Sequence, residues 1–265
     1  QGLYQYKRVE ENFFPAVGFV NTTDIENHFF NFGYRHFLPS ESLFRSVLFA
    51  FDSNRVENLE DGSLNNQSVG LRMSTFTNTN DTIFGRITSF KENFKLPFII
   101  YRASDGSRTV TIPAGEYSWQ EGFLGLQPGG HRQVSANLFF SVGDYYNGSH
   151  KALQGNATWR PNRNFSLVLT FNENRIKLPG GNFTLRVFGI NSQYAFSSTM
   201  SWNNLVQYDN VSENLGFNSR LHWIPRAGQE TFLVLNWGLI DADKDNHFDS
   251  TVADLSLKFN YTFRF

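Results

Sequence analysis

Four aspartates near the end of the chain have the residue type and the spacing of a calcium-binding loop. They are Asp241, Asp243, Asp245 and Asp249. Three alternate carboxylates followed by a fourth match the first half of an EF-hand loop, whose oxygen ligands suit a hard divalent cation. The glycine position of that loop is Asn246 and its final glutamate position is Val252, so a complete EF-hand is excluded. The sequence therefore predicts either a Ca²⁺ site in the 241–249 loop or a solvated hairpin loop without metal.

Eight basic residues form a second set with a chemical interpretation. They are Arg35, Arg72, Arg86, Arg160, Arg186, Arg220, Lys258 and Arg264. Basic side chains around a lumen favour anionic solutes, which would make this set the lining of a pore. The alternative is structural: the same charges pair with acids across the interior, because a buried unpaired charge is costly. Both interpretations require strands that turn all eight residues toward one polar side.

Enzymatic chemistry finds little support in the sequence. The chain has six histidines, and none lies in a Gly-x-Ser-x-Gly or His-Glu-x-x-His context. The absence of cysteine removes disulfides and thiolate metal sites. A net charge of −1 without a basic run argues against nucleic acid as a partner. We therefore predict neither an enzyme nor a nucleic-acid-binding protein, and an enzyme at the rim of the fold is the least favoured alternative.

The elements that carry these residues alternate between apolar and polar positions. At the end of the chain, the alternate residues from Ala253 to Phe265 are almost all apolar, whereas those from Val252 to Arg264 are almost all polar. The same period of two recurs in many segments, among them Val134–Val142 and Phe165–Phe171. A period of two over this length predicts strands with one apolar and one polar face.

About fourteen such segments follow one another, each roughly ten residues long, the length of a tilted strand that crosses a bilayer. Short connections at 38–42, 77–81, 127–130, 160–164, 191–193 and 225–229 alternate with longer ones at 52–67, 91–116, 144–151, 172–182, 208–214 and 241–250. Short turns at one rim and long loops at the other predict a transmembrane antiparallel up-and-down β-barrel over residues 1–265. Residues 1–10 are expected to be the end of an upstream strand or a linker.

Two soluble folds are the alternatives to this barrel. A β-sandwich and a lipocalin-like barrel also alternate, but their apolar faces lie inside. The composition favours the membrane barrel, because 29 Phe, 10 Tyr and 5 Trp occur in a chain whose mean hydropathy is −0.38. No apolar run approaches the roughly 18 residues of a spanning helix. The chain begins at Gln1 without a signal peptide, so we expect a mature product or a fragment of a longer chain.

The last strand resembles the C-terminal insertion signal of bacterial outer-membrane barrels. The residues that carry this resemblance are Phe259, Tyr261, Phe263 and Phe265. It implies an outer-membrane location, a periplasmic C-terminus, extracellular long loops and insertion by the barrel assembly machinery.

Two further stretches resemble one family. "ENFFPAVGFV" (Glu11–Val20) and "NSRLHWIPRAGQETFLVLNWG" (Asn218–Gly238) are similar to motifs of a C-terminal barrel domain of unknown function. That domain is found downstream of a periplasmic family-9-type carbohydrate-binding domain. The chain departs from the family at Ile224 and Ala227, in the turn of its penultimate hairpin. The resemblance implies a carbohydrate-binding partner domain and a barrel with more than fourteen strands in the intact protein.

Taken together, these patterns predict a porin-like conduit for polar solutes, with oligosaccharides as the solute class if the family resemblance holds. The expected partners are outer-membrane lipid and lipopolysaccharide, and Ca²⁺ in the 241–249 loop is the only cofactor that the sequence suggests. A structural anchor or a subunit of a secretion or uptake complex is the main alternative. The 91–116 loop is expected either to fold inward and constrict the lumen or to lie over its mouth.

Overall fold

The computed structural model describes residues 1–15, 20, 22–241 and 247–262. Every regular element in these ranges is a β-strand. Within the same ranges, no helix is long and apolar enough to span a membrane. The strands are β1 Gly2–Val9, β2 Ile25–Phe37, β3 Phe44–Asn58, β4 Leu64–Thr77, β5 Thr82–Phe94, β6 Phe98–Arg102, β7 Thr109–Ile112, β8 Gly115–Gln127, β9 Val134–Tyr145, β10 Gly148–Asn162, β11 Phe165–Leu178, β12 Gly181–Ser197, β13 Met200–Asp209, β14 Asn214–Arg226, β15 Gln229–Ile240 and β16 Asp249–Tyr261.

Fourteen strands form one antiparallel sheet whose order follows the sequence from β1 to β16. The two remaining strands, β6 and β7, form a separate hairpin inserted between β5 and β8. Such an up-and-down order arises because each short connection returns the chain beside the strand it has just left. The predicted all-β class, the up-and-down order and the strand number of about fourteen are confirmed.

The closed barrel that the sequence predicts is not formed. In the described part of the chain, β1 and β16 are the two edges of the sheet and do not pair with each other. β1 has 8 residues and pairs only with Ile25–Phe32 of the 13-residue β2. Alternation specifies the faces of strands and short turns specify sequential neighbours, but neither specifies a pair between the two ends of the sheet.

The register between strands defines two faces. Directly paired residues of antiparallel strands share a face, and the pairs Leu71 with Ile87, Phe171 with Phe188 and Leu233 with Leu257 therefore trace one side of the sheet. We call this side the apolar face. The opposite side, which we call the polar face, carries the intervening residues, such as the pair of Asn137 and Asn156. The alternation read from the sequence is confirmed along these strands.

Solvent exposure shows that the sheet is curved around its polar face. Away from the edge strands, polar-face residues are shielded at positions such as Ser46 (0% exposed) and Thr88 (5%), whereas Leu71 (64%) and Ile87 (65%) on the apolar face are open. Side chains converge on the inside of a curved sheet and diverge on its outside. The polar face is therefore concave, and the convex face is the apolar one.

The two rims differ less than the sequence predicts. Only residues 146–147 separate β9 from β10, and only residues 179–180 separate β11 from β12, where loops of 144–151 and 172–182 were predicted. On β11 the apolar-face positions change from Phe171 to Glu173, Arg175 and Lys177. Residues 172–175 are therefore polar on both sides, before Ile176 and Leu178 of the other face become apolar. A strand that is polar on both faces lacks the period-two pattern and is misread as a loop. Two of the predicted long connections remain long and lie at the predicted rim. They are 95–114, which contains β6 and β7, and 241–248.

Candidate functional site on the concave face

The β6–β7 hairpin folds onto the concave polar face. Val110 and Ile112 of β7 are 0% and 1% exposed. They form the buried core of the molecule together with residues of β11 and β12, namely Ile176, Leu178 and Phe183. Tyr101 of β6 stacks on Phe183 with the two ring centroids 4.5 Å apart. The hairpin thus leaves the sheet between β5 and β8 and packs on strands β11 and β12. The sequence had left open whether the 91–116 loop folds inward or lies over the mouth of the lumen.

Aromatic side chains support the base of the hairpin. Phe94, the last residue of β5, packs on Phe98 of the hairpin and on Tyr117 of β8. Tyr146, in the β9–β10 turn, contacts Phe98 and Trp119. Burial among these rings raises the pKa of the Tyr146 hydroxyl, because an ionised phenolate would be poorly solvated there. The hairpin is therefore fixed at its base as well as over β11 and β12.

The structure places five of the eight predicted basic residues on the polar face. These are Arg35, Arg72, Arg86, Arg220 and Lys258. Arg160 lies past Trp159, where the register of β10 shifts at its short-turn end. Arg264 lies outside the described residues.

Arg186 is a correction to the predicted set. It pairs directly with Glu173 and precedes Phe188 by two residues, so it lies on the apolar face. Its guanidinium Nε donates a hydrogen bond of 2.5 Å to Glu173 Oε2. β12 carries apolar residues on both faces in this segment, and the alternation therefore does not reveal which side Arg186 occupies.

Among the described residues, one of the five polar-face cations has a carboxylate partner. Arg86 Nη2 lies 2.6 Å from Asp52 Oδ2. The neighbouring Arg72 has a buried Nε without a hydrogen-bond partner among the described residues. Arg35 lies over the ring of Phe76, with its guanidinium carbon 4.5 Å from the ring centroid. The structural interpretation, in which each basic residue pairs with an acid, therefore fits Arg86 but does not fit Arg72 or Arg35.

A second cationic group lies on the polar face of β14–β16. The guanidinium carbon of Arg220 is 4.5 Å from the ring centroid of Phe232. His222 stacks on the same ring at 4.3 Å, and Lys258 is the direct cross-strand neighbour of Phe232. Cations over aromatic faces keep their charge available to a ligand, because the ring quadrupole attracts the cation without neutralising it. Two parts of the concave wall thus present positive charge.

The aspartate loop is described in part. Asp241, 8% exposed at the end of β15, donates its backbone N–H to the carbonyl oxygen of Glu213 at 3.1 Å. Together with Glu213 and Arg108 it lines a polar cavity of about 540 Å³ beside the tip of the hairpin. Asp249 begins β16 and lies 3.9 Å from His247. Asp243 and Asp245 lie outside the described residues, so the Ca²⁺ site stays a prediction.

Both rims contain carboxylates that are held ionised. At the short-turn rim, Asp81 accepts hydrogen bonds from Arg132 and from the backbone N–H of Gly129, which ties the β4–β5 turn to the β8–β9 turn. The Arg132 guanidinium is the main reason that the pKa of Asp81 lies well below its ordinary value. At the other rim, hydrogen bonds from Ser63, supported by Lys95, lower the pKa of Asp61 to about 2.

Sequence reasoning missed a mixed cluster on the apolar face near the long-loop rim. Ligand-type atoms of Glu26, His28 and Glu57 lie within 4.8 Å of one another. Tyr6 donates a hydrogen bond to Glu26, and an Arg55 guanidinium pairs with Glu57. The sequence signal for this cluster was the two-residue spacing of Glu26 and His28, which places both on one face of a strand. Glu57 comes from the neighbouring strand β3, and the register between the two strands could not be read from the sequence. The existing partners of these groups give the cluster a sufficient structural role.

The convex face is apolar and ends in aromatic residues at the short-turn rim. Trp159, Trp202 and Trp223 are 47%, 44% and 47% exposed there. Of the predicted insertion signal, Phe259 and Tyr261 are 60% and 49% exposed on the apolar face of β16. The other two members, Phe263 and Phe265, lie outside the described residues.

No protein-family model matches the sequence, and none of the curated proteins matches it. The resemblance of Glu11–Val20 and Asn218–Gly238 to a barrel domain of unknown function therefore stays a prediction.

Proposed function

We propose that this protein is a β-barrel of the bacterial outer membrane and a conduit for a polar solute, narrowed by the β6–β7 hairpin. The observation that carries the proposal is the inverted distribution of the side chains. A soluble protein shields its apolar face, yet here Leu71, Ile87 and Leu257 are 64%, 65% and 74% exposed on the convex side. Shielded polar residues on the concave side fit a wet interior.

The dimensions of the apolar face support a membrane location. On β9 the apolar-face residues run without interruption from Val134 to Val142, which is about 26 Å along a strand at about 3.3 Å per residue. At the strand tilt of roughly 35–45° found in such barrels, this length covers about 19–22 Å along the membrane normal. The apolar band of outer-membrane barrels is about 25 Å tall. Exposed tryptophans at one end of the band match the aromatic girdle that such barrels place at the membrane interface.

A bilayer adds a requirement at the edges of the sheet. Backbone N–H and C=O groups in the hydrocarbon need partners, because each unsatisfied group costs several kcal/mol there. In the proposal, β1 and β16 therefore pair with each other once the sheet is inserted. With fourteen strands in up-and-down order, the first and last strands are antiparallel, which permits this pairing.

The solute class follows from the concave wall. Cross-strand amides such as Asn137 and Asn156, whose side chains are 3.1 Å apart, offer hydrogen bonds to hydroxyl groups. Arg35 and Arg72 line a cavity of about 640 Å³ on the same side without a carboxylate partner in the described ranges. A polar, hydroxyl-rich solute with negative charge, such as an acidic oligosaccharide, would meet both kinds of group.

A structural anchor is the second candidate, and the buried hairpin is the observation that favours it. Val110 and Ile112 are as well packed as a protein core, and a permanently seated hairpin would close the interior. The protein would then hold a complex or a carbohydrate-binding domain at the membrane without transport. The two candidates differ in whether removing the hairpin reveals a conducting interior.

The test compares the full chain with a variant in which Lys95–Pro113 is replaced by a short Gly-Ser linker, both in planar bilayers. The conduit predicts small steps for the full chain, larger steps for the variant, and partial block by an acidic oligosaccharide but not by its neutral counterpart. Insertion without conductance in both proteins would favour the anchor. Failure of both correctly folded proteins to enter bilayers would overturn the membrane location itself.

A further inference from the structure

An apolar groove crosses the convex face over β9–β12. Its floor is made of small residues, Gly155 and Ala157, and its walls are made of Leu138, Leu169 and Phe188. The groove has a volume of about 420 Å³ and is lined almost entirely by apolar atoms. An apolar groove with small residues in its floor on a lipid-facing surface offers space for part of an acyl chain.

Basic residues lie directly beyond the long-loop end of this groove. Lys151 and Arg175 are direct cross-strand neighbours on the apolar face, and Lys177 follows Arg175 by two residues on the same face. Arg186 belongs to the adjacent strand β12. The side chain of Arg175 is 63% exposed, and neither lysine has an ion pair among the described residues. These four cations form what we call the basic collar.

The negative charge near the basic collar is smaller than its positive charge. Glu173 accepts hydrogen bonds from both Arg175 and Arg186 and is itself only 13% exposed at its side chain. Asp144 is a second acid on this face, opposite Ser149. Among the described residues of this face, four cations against two acids leave an excess of two positive charges at the mouth of the groove.

We propose that the groove and the basic collar together bind lipopolysaccharide, with one acyl chain in the groove and a phosphate of the lipid on Lys151, Arg175 and Lys177. This inference rests on the proposed membrane location. The collar lies at the rim that carries the β6–β7 hairpin, and longer excursions of outer-membrane barrels are extracellular. Basic residues next to an apolar surface recognise phosphorylated lipid headgroups by charge.

A second groove on the same face provides a matched control. It lies over β4, β5, β8 and β9 with Gly85 and Gly122 in its floor, and its volume is about 430 Å³. Beyond its long-loop end, the apolar-face position of β5 is Lys91, opposite Gln67 and Ser118. This groove has comparable apolar space, with Lys91 on its own strands and Lys151 of the adjacent β10 beside Val142, so it has two neighbouring cations instead of four. It should therefore retain lipopolysaccharide more weakly.

The experiment measures binding of deep-rough lipopolysaccharide to the full chain in detergent, by native mass spectrometry and by titration. The triple variant Lys151→Gln, Arg175→Gln, Lys177→Gln is expected to bind roughly 100-fold more weakly, at about fivefold per cation. Ala157→Leu, which fills the groove, should also weaken binding. The control variants Lys91→Gln and Gly85→Leu should bind as the unmodified protein does.

Three outcomes would overturn the proposal. The first is unchanged binding by the triple variant, and the second is equal loss in the Lys91→Gln control. The third is equally tight binding of phosphatidylglycerol, which would make the site one for any anionic lipid. These outcomes differ from failure of the proposed function: the chain would still insert into phosphatidylcholine vesicles and conduct, whereas failure of the function would abolish insertion into vesicles of any composition.

Discussion

Arg86 reaches Asp52 across a glycine in the strand that separates them. The ion pair joins β5 to β3, with Arg86 Nη2 lying 2.6 Å from Asp52 Oδ2, and β4 lies between these strands. A Cβ atom on Gly70 of β4 would lie 2.9 Å from Arg86 Nε and 3.0 Å from Asp52 Oδ2. The absence of a side chain at Gly70 therefore provides the space through which the two charges meet.

Gly70→Ala should separate this pair and destabilise the protein. Alanine by itself stabilises a compatible strand position by about 0.4–1 kcal/mol, because it restricts the unfolded chain. At Gly70 this gain is offset by loss of a charge-assisted hydrogen bond, worth about 1–2 kcal/mol after discounting for partial exposure. Gly85→Ala is the control, because its added Cβ meets only the Phe123 carbonyl oxygen at 3.8 Å. Equal free energies of unfolding in urea for the two variants would show that the space at Gly70 does not matter for stability.

The sequence predicted the faces of the sheet better than the roles of its charges. Alternation alone assigned Leu71, Leu169 and Leu257 to one side, because an apolar set repeated at every second position leaves a single consistent choice. It misplaced Arg186, since neighbouring positions of β12 are apolar on both sides. It also gave no sign that Arg35 would lie over Phe76, because such contacts depend on the register between strands that are distant in sequence.

The loops were predicted less well than the strands for a related reason. The strands extend beyond the apolar band, and there Glu173 and Arg175 alternate with Asn172 and Asn174. Polar residues on both faces remove the periodic pattern although the ladder continues. The site of hairpin docking was also beyond the sequence, since the contact of Val110 with Phe183 joins segments about seventy residues apart, a separation that no local pattern encodes.

Ile112→Ala should loosen the β6–β7 hairpin from the polar face. Ile112 is 1% exposed, and removing a buried isoleucine side chain typically costs about 2–5 kcal/mol. Ile99→Ala is the matched control, because Ile99 lies in the same hairpin but is 50% exposed. We expect faster tryptic cleavage after Arg102 and Arg108 in the Ile112 variant only. Cleavage at the same rate in both variants would contradict the buried docking of β7.

The ion pair of Asp81 and Arg132 should stabilise the folded protein above the acidic range, and this stabilisation should be lost as the pH falls. The pKa of Asp81 is depressed from an ordinary 3.8, so its contribution is complete above that value and declines below it as the native carboxylate is protonated. Asp81→Asn should therefore lower the Tm at pH 6, and this difference should shrink below about pH 4. Arg132→Gln should reproduce the effect without adding to it in the double variant. A difference in Tm that grows on acidification would have the wrong sign.

The tryptophans should report the orientation of the sheet in a bilayer. Four of the five lie on the apolar face, and Trp119 lies on the polar face at 6% exposure; the four are Trp159, Trp202, Trp223 and Trp237. In single-tryptophan variants, lipids brominated near the headgroup should quench Trp159, Trp202 and Trp223, which lie at the short-turn rim. Trp119 should be protected and serves as the internal control. Comparable quenching of Trp119 would mean that the polar face contacts lipid.

Insertion into a bilayer should bring the two edge strands together. Gln5 lies on the polar face of β1, and Asp254, Ser256 and Lys258 lie on the polar face of β16. Gln5→Cys combined in turn with a cysteine at each β16 position should give an intramolecular product with a short bis-maleimide in vesicles, because unpaired edges are costly in hydrocarbon. The control pair joins Gln5→Cys to a cysteine at Asn137, which lies in the middle of the sheet on β9, and should not react. Products between chains would instead show that the edges pair between copies, and no product at any β16 position would contradict a closed barrel.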